Sequence, residues 1–295
     1  MNKVWFITGS SKGLGRSLTA AVLATGDSVA ATARNLSQLD DLAQQYPGQL
    51  FPLQLDVTDY PRARQAVTDT IARFGRIDVL VNNAGFGITG AAEAFTDEQV
   101  RSQLETNLYA PIEITRLVLP YMRRQRSGRI LQISSIGGRT GHAGLTIYQA
   151  AKFGIAGFSE SLSKEVAPLN IFVTSVEPGG FRTDWGGASM SFAPVVEGYE
   201  NSVEFMKNLL RSGAFVPQGD PDKAAKVMID LVNHPAPPVH LVLGSDAVGL
   251  LKQANADRDA AFEAWIPVSL TTDHDDAPNF MESEVYKKLV PQAKA

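Results

Sequence analysis

Short apolar segments alternate with longer amphipathic segments along most of the chain, and this alternation restricts the folds open to it. The apolar segments lack a polar–apolar alternation, which is typical of strands buried on both faces of a parallel sheet. The longer segments repeat apolar residues at helical spacing. The pattern therefore predicts an α/β fold built on a doubly wound, seven-stranded parallel sheet with helices on both faces.

The predicted elements account for most of the first 245 residues. Strands are predicted at 4–8, 28–33, 50–55, 78–82, 129–134, 171–176 and 240–243. Helices are predicted at 14–24, 36–46, 60–74, 97–124, 147–166 and 221–233. We expect one Rossmann-type domain over 1–245, with 246–295 as a C-terminal extension packed on it.

Composition excludes several classes of function. The net charge of −4 gives no reason to expect nucleic acid or an anionic membrane as a partner, and no apolar segment is long enough to span a membrane. The chain has no cysteine, and its four histidines lack metal-ligand spacing, so we predict no catalytic metal. The first residues run directly into a predicted strand, which leaves no room for a signal peptide and indicates a cytoplasmic protein.

A glycine-rich turn follows the first predicted strand and precedes the first predicted helix. Glycines at this junction let a pyrophosphate approach the backbone N–H groups and the positive end of the helix dipole. The turn therefore predicts a dinucleotide site. Its candidate residues are Gly9, Ser11, Lys12, Gly13, Leu14 and Gly15.

The end of the second predicted strand indicates which nucleotide is bound. An acidic residue there would accept a hydrogen bond from the ribose of NAD, but this strand ends at Arg34. Arginine suits a 2′-phosphate, and Lys12 adds a second cation near it. These two residues favour NADP(H) as the cofactor over NAD.

Tyr148 and Lys152 are four residues apart on a predicted helix, and Tyr148 follows Ser135 by thirteen residues (148 − 135 = 13). Residues at this helical spacing share a face, so Lys152 can place its charge near the phenol and lower its pKa. Ser135 ends a predicted strand and can hydrogen-bond a substrate oxygen. The set suits proton transfer to a carbonyl that accepts hydride from a nicotinamide.

With these motifs the chain resembles the short-chain dehydrogenase/reductase family, in its single-domain branch. The matches extend from residue 4 to about 245, in the order and at the spacings of that family. They are Thr8-Gly9-x-x-x-Gly13-x-Gly15, Asp56-Val57, Asn82-Asn83-Ala84-Gly85, Asn107, Ser135, Tyr148-x-x-x-Lys152, and Pro178-Gly179 with Thr183.

The resemblance implies further site residues. It places Asp56 and Val57 at the adenine, and Asn107 at a water that links Lys152 to solvent. Asn83, Ala84 and Gly85 would line the adenosine side, Pro178 and Gly179 would border the nicotinamide, and Thr183 would bond its carboxamide. Tyr148 and Lys152 would also contact the cofactor. Members of the family commonly form homodimers or homotetramers, which we expect here.

Residues 182–217 interrupt the alternation and are rich in Gly, Pro, Met and aromatic residues. We favour a substrate lid for this segment over a surface excursion. Its larger side chains are Trp185, Met190, Phe192, Phe205, Met206 and Phe215. Their character resembles that of family members acting on bulky apolar alcohols and ketones, such as hydroxysteroid and retinol dehydrogenase-like proteins.

The leading hypothesis is an NADP(H)-dependent carbonyl reductase, equivalently an alcohol dehydrogenase, for a small to medium apolar substrate. One alternative is an NAD-dependent alcohol or hydroxysteroid dehydrogenase that works oxidatively. Another is a non-catalytic NADP(H)-binding sensor, although such proteins typically lose the Ser, Tyr and Lys residues. His142 lies between Ser135 and Tyr148, and we favour a loop residue without a further role over one that contacts substrate.

Overall fold

Seven parallel strands form the central sheet in a computed structural model that describes residues 2–183, 190–211 and 216–290. The strands lie in the order β3-β2-β1-β4-β6-β7-β9. Their bounds are β1 Val4–Ile7, β2 Ser28–Ala33, β3 Leu50–Gln54, β4 Val79–Asn82, β6 Gly128–Ile133, β7 Ile171–Pro178 and β9 His240–Leu243. A separate parallel pair joins β5 (Gly87–Thr89) to β8 (Met190–Phe192).

Helices connect the strands of the sheet as predicted, and further helices follow the last strand. They are α1 Gly13–Ala24, α2 Asp40–Gln45, α3 Tyr60–Phe74, α4 Asp97–Leu104, α5 Ala110–Gln125, α6 Thr146–Val166, α7 Phe205–Arg211, α8 Pro221–Asn233, α9 Ser245–Ser269 and α10 Glu284–Leu289. The Asp59 carboxylate accepts a hydrogen bond from the N–H of Arg62 and so begins α3.

Both faces of the sheet are buried, which explains the continuous apolar character of its strands. In β1, Trp5 and Ile7 pack into one core cluster, and Phe6 packs into the other. The first cluster is closed by α1, α2 and α8, whereas α3, α5 and α6 close the second. Successive strand residues point to opposite faces, so each face needs its own apolar set. The predicted doubly wound sheet is confirmed.

The order of the strands places the site. The chain builds outward from β1 to β2 and β3, then returns to the other side of β1 with β4. In open parallel sheets, ligands bind beyond the carboxyl ends of the strands where the order reverses. The glycine turn follows β1, and the segment beginning at Asn83 follows β4, so both lie at this reversal.

The predicted helix over 97–124 contains a change of helical type. A π-helix covers 105–109 between α4 and α5 and includes Asn107. The predicted helix over 36–46 likewise begins as a 3₁₀ helix at 36–39, where the side chain of Asn35 caps Ser37 N–H. π-Helical turns inside α-helices occur frequently at functional sites, which draws attention to Asn107.

Residues 1–251 and 252–295 form two compact units. Helix α9 extends from the first unit into the second, and the second also contains α10. In the second unit the rings of Phe280 and Tyr286 meet edge to face with centroids 5.8 Å apart.

Candidate active site

The glycine turn is held against the end of β4 by hydrogen bonds. The Asn83 amide donates to the carbonyl oxygens of Thr8 and Gly9, at 2.9 and 3.0 Å. The Thr8 hydroxyl oxygen accepts from the N–H groups of Asn83 and Ala84. A Cβ atom at Gly15 would lie 2.3 Å from the Asn83 amide nitrogen, so only glycine fits there. Gly9 has a φ of +67°, which also favours glycine.

The N-terminus of α1 is suited to an anion. Its N-cap residue is Lys12, whose side chain makes no capping hydrogen bond, and its first turn contains no acidic residue. The N–H groups of that turn therefore keep their positive partial charge. Gly13, the first residue of α1, faces the side chain of Thr183. The turn and the loop after β7 thus meet at this helix end.

Two basic residues border the nucleotide end of the site: Arg34 directly follows β2, and Lys12 lies in the glycine turn. Arg34 and Lys12 are both exposed and line the same cavity. Asp56 is nearby on the cavity wall, and its carboxylate accepts hydrogen bonds from the N–H and hydroxyl of Thr58, at 3.0 and 2.8 Å. One carboxylate oxygen of Asp56 is therefore occupied by hydrogen bonds within its own turn.

The three residues with acid–base chemistry meet where β6 and α6 adjoin. Tyr148 and Lys152 are 5% and 6% exposed on α6, and Ser135 follows β6. The Lys152 ammonium donates a hydrogen bond to the carbonyl oxygen of Ile133 at 2.8 Å. Its nitrogen lies 5.6 Å from the centroid of the Tyr148 ring. The Ser135 hydroxyl oxygen accepts from the N–H of Gly137 at 3.0 Å.

Burial shifts the pKa values of Tyr148 and Lys152. It raises the pKa of Tyr148 to about 12, and a hydrogen bond from Ser135 opposes the shift. Burial also lowers the pKa of Lys152 to about 8. The net shift of the Tyr148 pKa is thus upward, and the expectation that the charge of Lys152 lowers it stays a prediction.

Asn107 lies behind the wall of the cavity. Its side chain is 1% exposed, donates to the carbonyl oxygen of Phe86 at 2.7 Å and accepts from the Phe86 N–H at 3.1 Å. A Cβ atom at Gly85 would lie 2.9 Å from the Asn107 side-chain oxygen and 3.9 Å from the Lys152 nitrogen. Asn107 therefore fixes the segment that passes between it and Lys152.

The loop after β7 contacts a residue that no sequence motif predicts. Asp246, at the start of α9, accepts a hydrogen bond from the Gly180 N–H at 2.7 Å. Both of its carboxylate oxygens would be 2.4 Å from a Cβ atom at Gly179, so glycine is required there. Asp246 and Leu250 line the cavity. Neither belongs to a recognisable motif, and only the packing of α9 brings them to the site.

One cavity of about 1320 Å³ joins these features. Almost every predicted site residue lines it; Gly15 and Asn107 are buried behind its wall instead. The predicted residues on its surface are Gly9, Ser11, Lys12, Gly13, Leu14, Arg34, Asp56, Val57, Asn83, Ala84, Gly85, Ser135, Tyr148, Lys152, Pro178, Gly179 and Thr183.

The predicted lid contributes part of the cavity wall. Met190, Ser191 and Pro217 line the cavity, whereas Phe192 packs beneath the guanidinium of Arg211 at 4.0 Å. Phe205 is 63% exposed. Trp185 and Phe215 lie outside the described residues. Met190 pairs with Gly87 where β8 lies beside β5, and the Thr89 hydroxyl donates to its sulfur at 3.1 Å.

Comparison with known proteins identifies the family. The model of the short chain dehydrogenase family matches residues 3–192. The chain belongs to the short-chain dehydrogenase/reductase family. It is 42% identical over 273 residues to oxidoreductase BOA17 of Botryotinia fuckeliana, covering 92% of this chain and all of that protein. The protein is thus an oxidoreductase of this family.

Two further relatives of this short-chain dehydrogenase agree with the assignment. A short-chain dehydrogenase structure from Streptomyces avermitilis superposes with a TM-score of 0.88 at 40% identity, covering 93% of this chain and all of that one. The 3-ketodihydrosphingosine reductase of Bacteroides thetaiotaomicron is 43% identical over 182 residues, which cover 61% of this chain and 65% of that protein.

Short-chain dehydrogenases use a nicotinamide nucleotide, and the cavity fits one. Residues of the glycine turn line it, the N-terminus of α1 has no side-chain cap, and the acid–base group lines the same cavity. Within 2–183, 190–211 and 216–290, no cluster of three potential metal-ligating side chains occurs. No helix in those ranges is long and apolar enough to cross a bilayer.

Proposed function

We propose that this short-chain dehydrogenase reduces a ketone or aldehyde of small to medium size with NADPH. The observation that carries the proposal is the buried group of Ser135, Tyr148 and Lys152, which shares a cavity with the exposed cations Lys12 and Arg34. The first group suits proton donation to a carbonyl, and the two cations suit a 2′-phosphate.

NADPH would lie along the cavity from the glycine turn to Tyr148. The N-terminus of α1 would hold the pyrophosphate, and Lys12 and Arg34 the 2′-phosphate. Asp56 and Val57 would border the adenine, with Asn83, Ala84 and Gly85 along the adenosine. Pro178, Gly179 and Thr183 would border the nicotinamide, with the side chains of Tyr148 and Lys152 also in contact. When bound, the nucleotide supplies the hydride.

Residues of the chain would supply the proton. Because the pKa of Tyr148 is about 12, its phenol stays protonated at neutral pH and can donate to the developing alkoxide. Ser135 would hydrogen-bond the same substrate oxygen. Lys152 would stabilise the phenolate that remains, and Asn107 would hold a water that returns a proton.

The cavity near Tyr148 favours an apolar substrate. Phe86, Leu145 and Met190 present apolar side chains to it. A relative that is 43% identical over 182 residues is named as a reductase of a keto compound, which supports the same reaction type.

The test is oxidation of NADPH and of NADH by purified protein with a panel of ketones and aldehydes, from small aryl ketones to steroids. We expect turnover with NADPH and a larger kcat/KM than with NADH. Tight NADPH binding with no turnover across the panel would favour the sensor alternative. Faster oxidation of alcohols with NAD than reduction with NADPH would favour the oxidative one.

A further inference from the structure

His142 lies on the loop between Ser135 and α6, and its side chain lines the same cavity as Ser135 and Tyr148. A buried glutamine fixes the loop. The Gln149 side-chain oxygen accepts from the His142 N–H at 2.8 Å, and its amide donates to the Thr140 carbonyl oxygen at 3.0 Å. Because Gln149 is adjacent to Tyr148 in α6, it holds His142 at a defined place relative to the acid–base group.

The Thr140 hydroxyl holds one ring nitrogen of His142. It is 3.2 Å from the carbonyl oxygen of Ile136 and 3.1 Å from Nε2 of His142. The same carbonyl oxygen also accepts from the N–H groups of Arg139 and Thr140, at 2.8 and 3.0 Å. The hydroxyl can therefore either donate to Nε2 or accept from Nε2–H while its own hydrogen points to Ile136.

Where the Thr140 hydroxyl accepts from Nε2–H, Nδ1 of His142 is an acceptor. Burial lowers the pKa of His142 below its usual range, so the ring is neutral at pH 7 and carries only one N–H. Nδ1 has no hydrogen-bond partner within the described ranges, and it is not one of their fully buried unpaired atoms. Nδ1 is thus open to a substrate in a cavity that Phe86, Leu145 and Met190 also line.

We propose that Thr140 accepts from Nε2–H and that Nδ1 of His142 accepts a hydrogen bond from the substrate, which is then a carbonyl compound that also carries a hydroxyl or N–H group. The proposal rests on carbonyl reduction at Tyr148 and adds a second point of recognition to it. His142 is then a specificity-determining residue, in contrast to the passive loop residue that the sequence favoured. Ser135 and Tyr148 bind the carbonyl oxygen of the substrate, and His142 binds the hydroxyl or N–H group elsewhere on the substrate.

Matched substrates test the proposal directly. Each pair consists of an aliphatic hydroxyketone and its methyl ether, with the oxygen two, three or four carbons from the carbonyl. The ether keeps the oxygen as an acceptor but removes the donor. For at least one spacing we expect kcat/KM of the alcohol to exceed that of the ether by about tenfold or more, because a site that bonds a donor discriminates against its absence.

Variants separate hydrogen bonding from the extra bulk of the methyl group. In His142→Phe the alcohol-to-ether ratio of kcat/KM should fall to about one, whereas a steric preference would persist. Thr140→Val leaves the imidazole in place but removes the partner that fixes its tautomer, so the ratio should fall there also. His274→Phe is the control, since His274 does not line the cavity, and its ratio should match wild type.

The outcomes distinguish this inference from the reductase assignment. Reduction of both members of every pair at equal kcat/KM in the wild-type protein would overturn the role of His142 and leave carbonyl reduction intact. A preference that survives both His142→Phe and Thr140→Val would overturn it as well. No reduction of any carbonyl, with NADPH still bound, would instead remove the proposed function on which it rests.

Discussion

The ammonium nitrogen of Lys152 lies 5.6 Å from the centroid of the Tyr148 ring, and both side chains are almost completely buried. Burial shifts the two pKa values away from each other, to about 8 for the lysine and about 12 for the tyrosine. At neutral pH Tyr148 therefore keeps its proton, and the buried charge of Lys152 lowers the stability of the folded protein. Both effects are measurable.

Replacement of Lys152 by Met should change how stability depends on pH. A lysine whose pKa is lower in the folded state contributes stability that is present above its unfolded pKa of 10.5 and is lost as the pH falls through about 8. From pH 8 to 10.5 the wild-type free energy of unfolding should gain about 3 kcal/mol relative to Lys152→Met, at ~1.4 kcal/mol per pKa unit. Urea denaturation across this range measures it.

The control is Lys164→Met, which removes a lysine from the exposed face of the same helix, where its side chain is 75% exposed. Its pH dependence should parallel that of the wild type. Parallel curves for Lys152→Met and wild type would show that the lysine is not buried as the structure describes.

Replacement of Tyr148 by Phe should abolish reduction while NADPH binding stays nearly intact. Only the hydroxyl is removed, and that hydroxyl is the proposed proton donor. Turnover and NADPH affinity, measured on the same preparation, check both halves of the prediction. Tyr121→Phe removes a hydroxyl outside the cavity and should keep full activity. If Tyr148→Phe retained more than about a tenth of the activity, Tyr148 would not be the acid.

Replacement of Arg34 by Asp should shift the cofactor preference towards NADH. The guanidinium lines the cavity and is exposed, and a carboxylate there would repel a 2′-phosphate and accept from a ribose hydroxyl instead. We expect the ratio of kcat/KM for NADPH to that for NADH to fall by at least about tenfold, which corresponds to ~1.4 kcal/mol. Arg64→Asp, on an exposed position of α3, is the charge-matched control. An unchanged ratio would contradict the assignment of Arg34.

The loop that carries Ser135 and His142 is tied to β7 by a buried ion pair. Glu177 is completely buried and accepts from the Arg139 guanidinium at 3.1 Å. Its other oxygen meets the Ser175 hydroxyl at 3.0 Å and Nδ1 of His240 at 2.7 Å. Glu177 directly precedes Pro178, so the pair connects two walls of the cavity.

A double-mutant cycle should show strong coupling between Arg139 and Glu177. Arg139→Met leaves the carboxylate of Glu177 without its guanidinium partner and should lower the free energy of unfolding by about 3 kcal/mol. In a Glu177→Gln background the same change should cost about 1 kcal/mol or less, because no buried charge remains.

The half-exposed pair Arg62–Asp69, at 3.3 Å, is the comparison. Its cycle, with Arg62→Met and Asp69→Asn, should give a coupling below about 1 kcal/mol. Equal couplings for the two pairs would mean that the link between Arg139 and Glu177 adds no more than a surface contact does. Chemical denaturation of the four proteins in each cycle supplies the measurement.

Much of the site could be predicted because its residues follow strand ends. Gly9 lies two residues after β1, and Asn83 directly follows β4. A parallel sheet brings the ends of neighbouring strands together whatever the conformation of the loops. Tyr148 and Lys152 share a helix face by spacing alone. These relationships are local or follow from the sheet order, so the pattern of the sequence contains them.

Other features depend on contacts between distant segments. Asp246 is separated from Gly180 by 66 residues, and nothing in its neighbourhood indicates that its carboxylate caps the loop after β7. The β5–β8 pair likewise joins Gly87 to Met190. Each strand of this pair is three residues long, which is too short for periodicity to reveal.

By itself the sequence determined the doubly wound sheet, the glycine turn and the spacing of Ser135, Tyr148 and Lys152, since these depend on local periodicity and on the order of elements. Only the tertiary structure decided the pKa values and the hydrogen-bond partners of the His142 ring. Those depend on how completely water is removed from a group and on which side chains the packing brings beside it. Burial and side-chain contacts are properties of the packed chain, and no local pattern of residues encodes them.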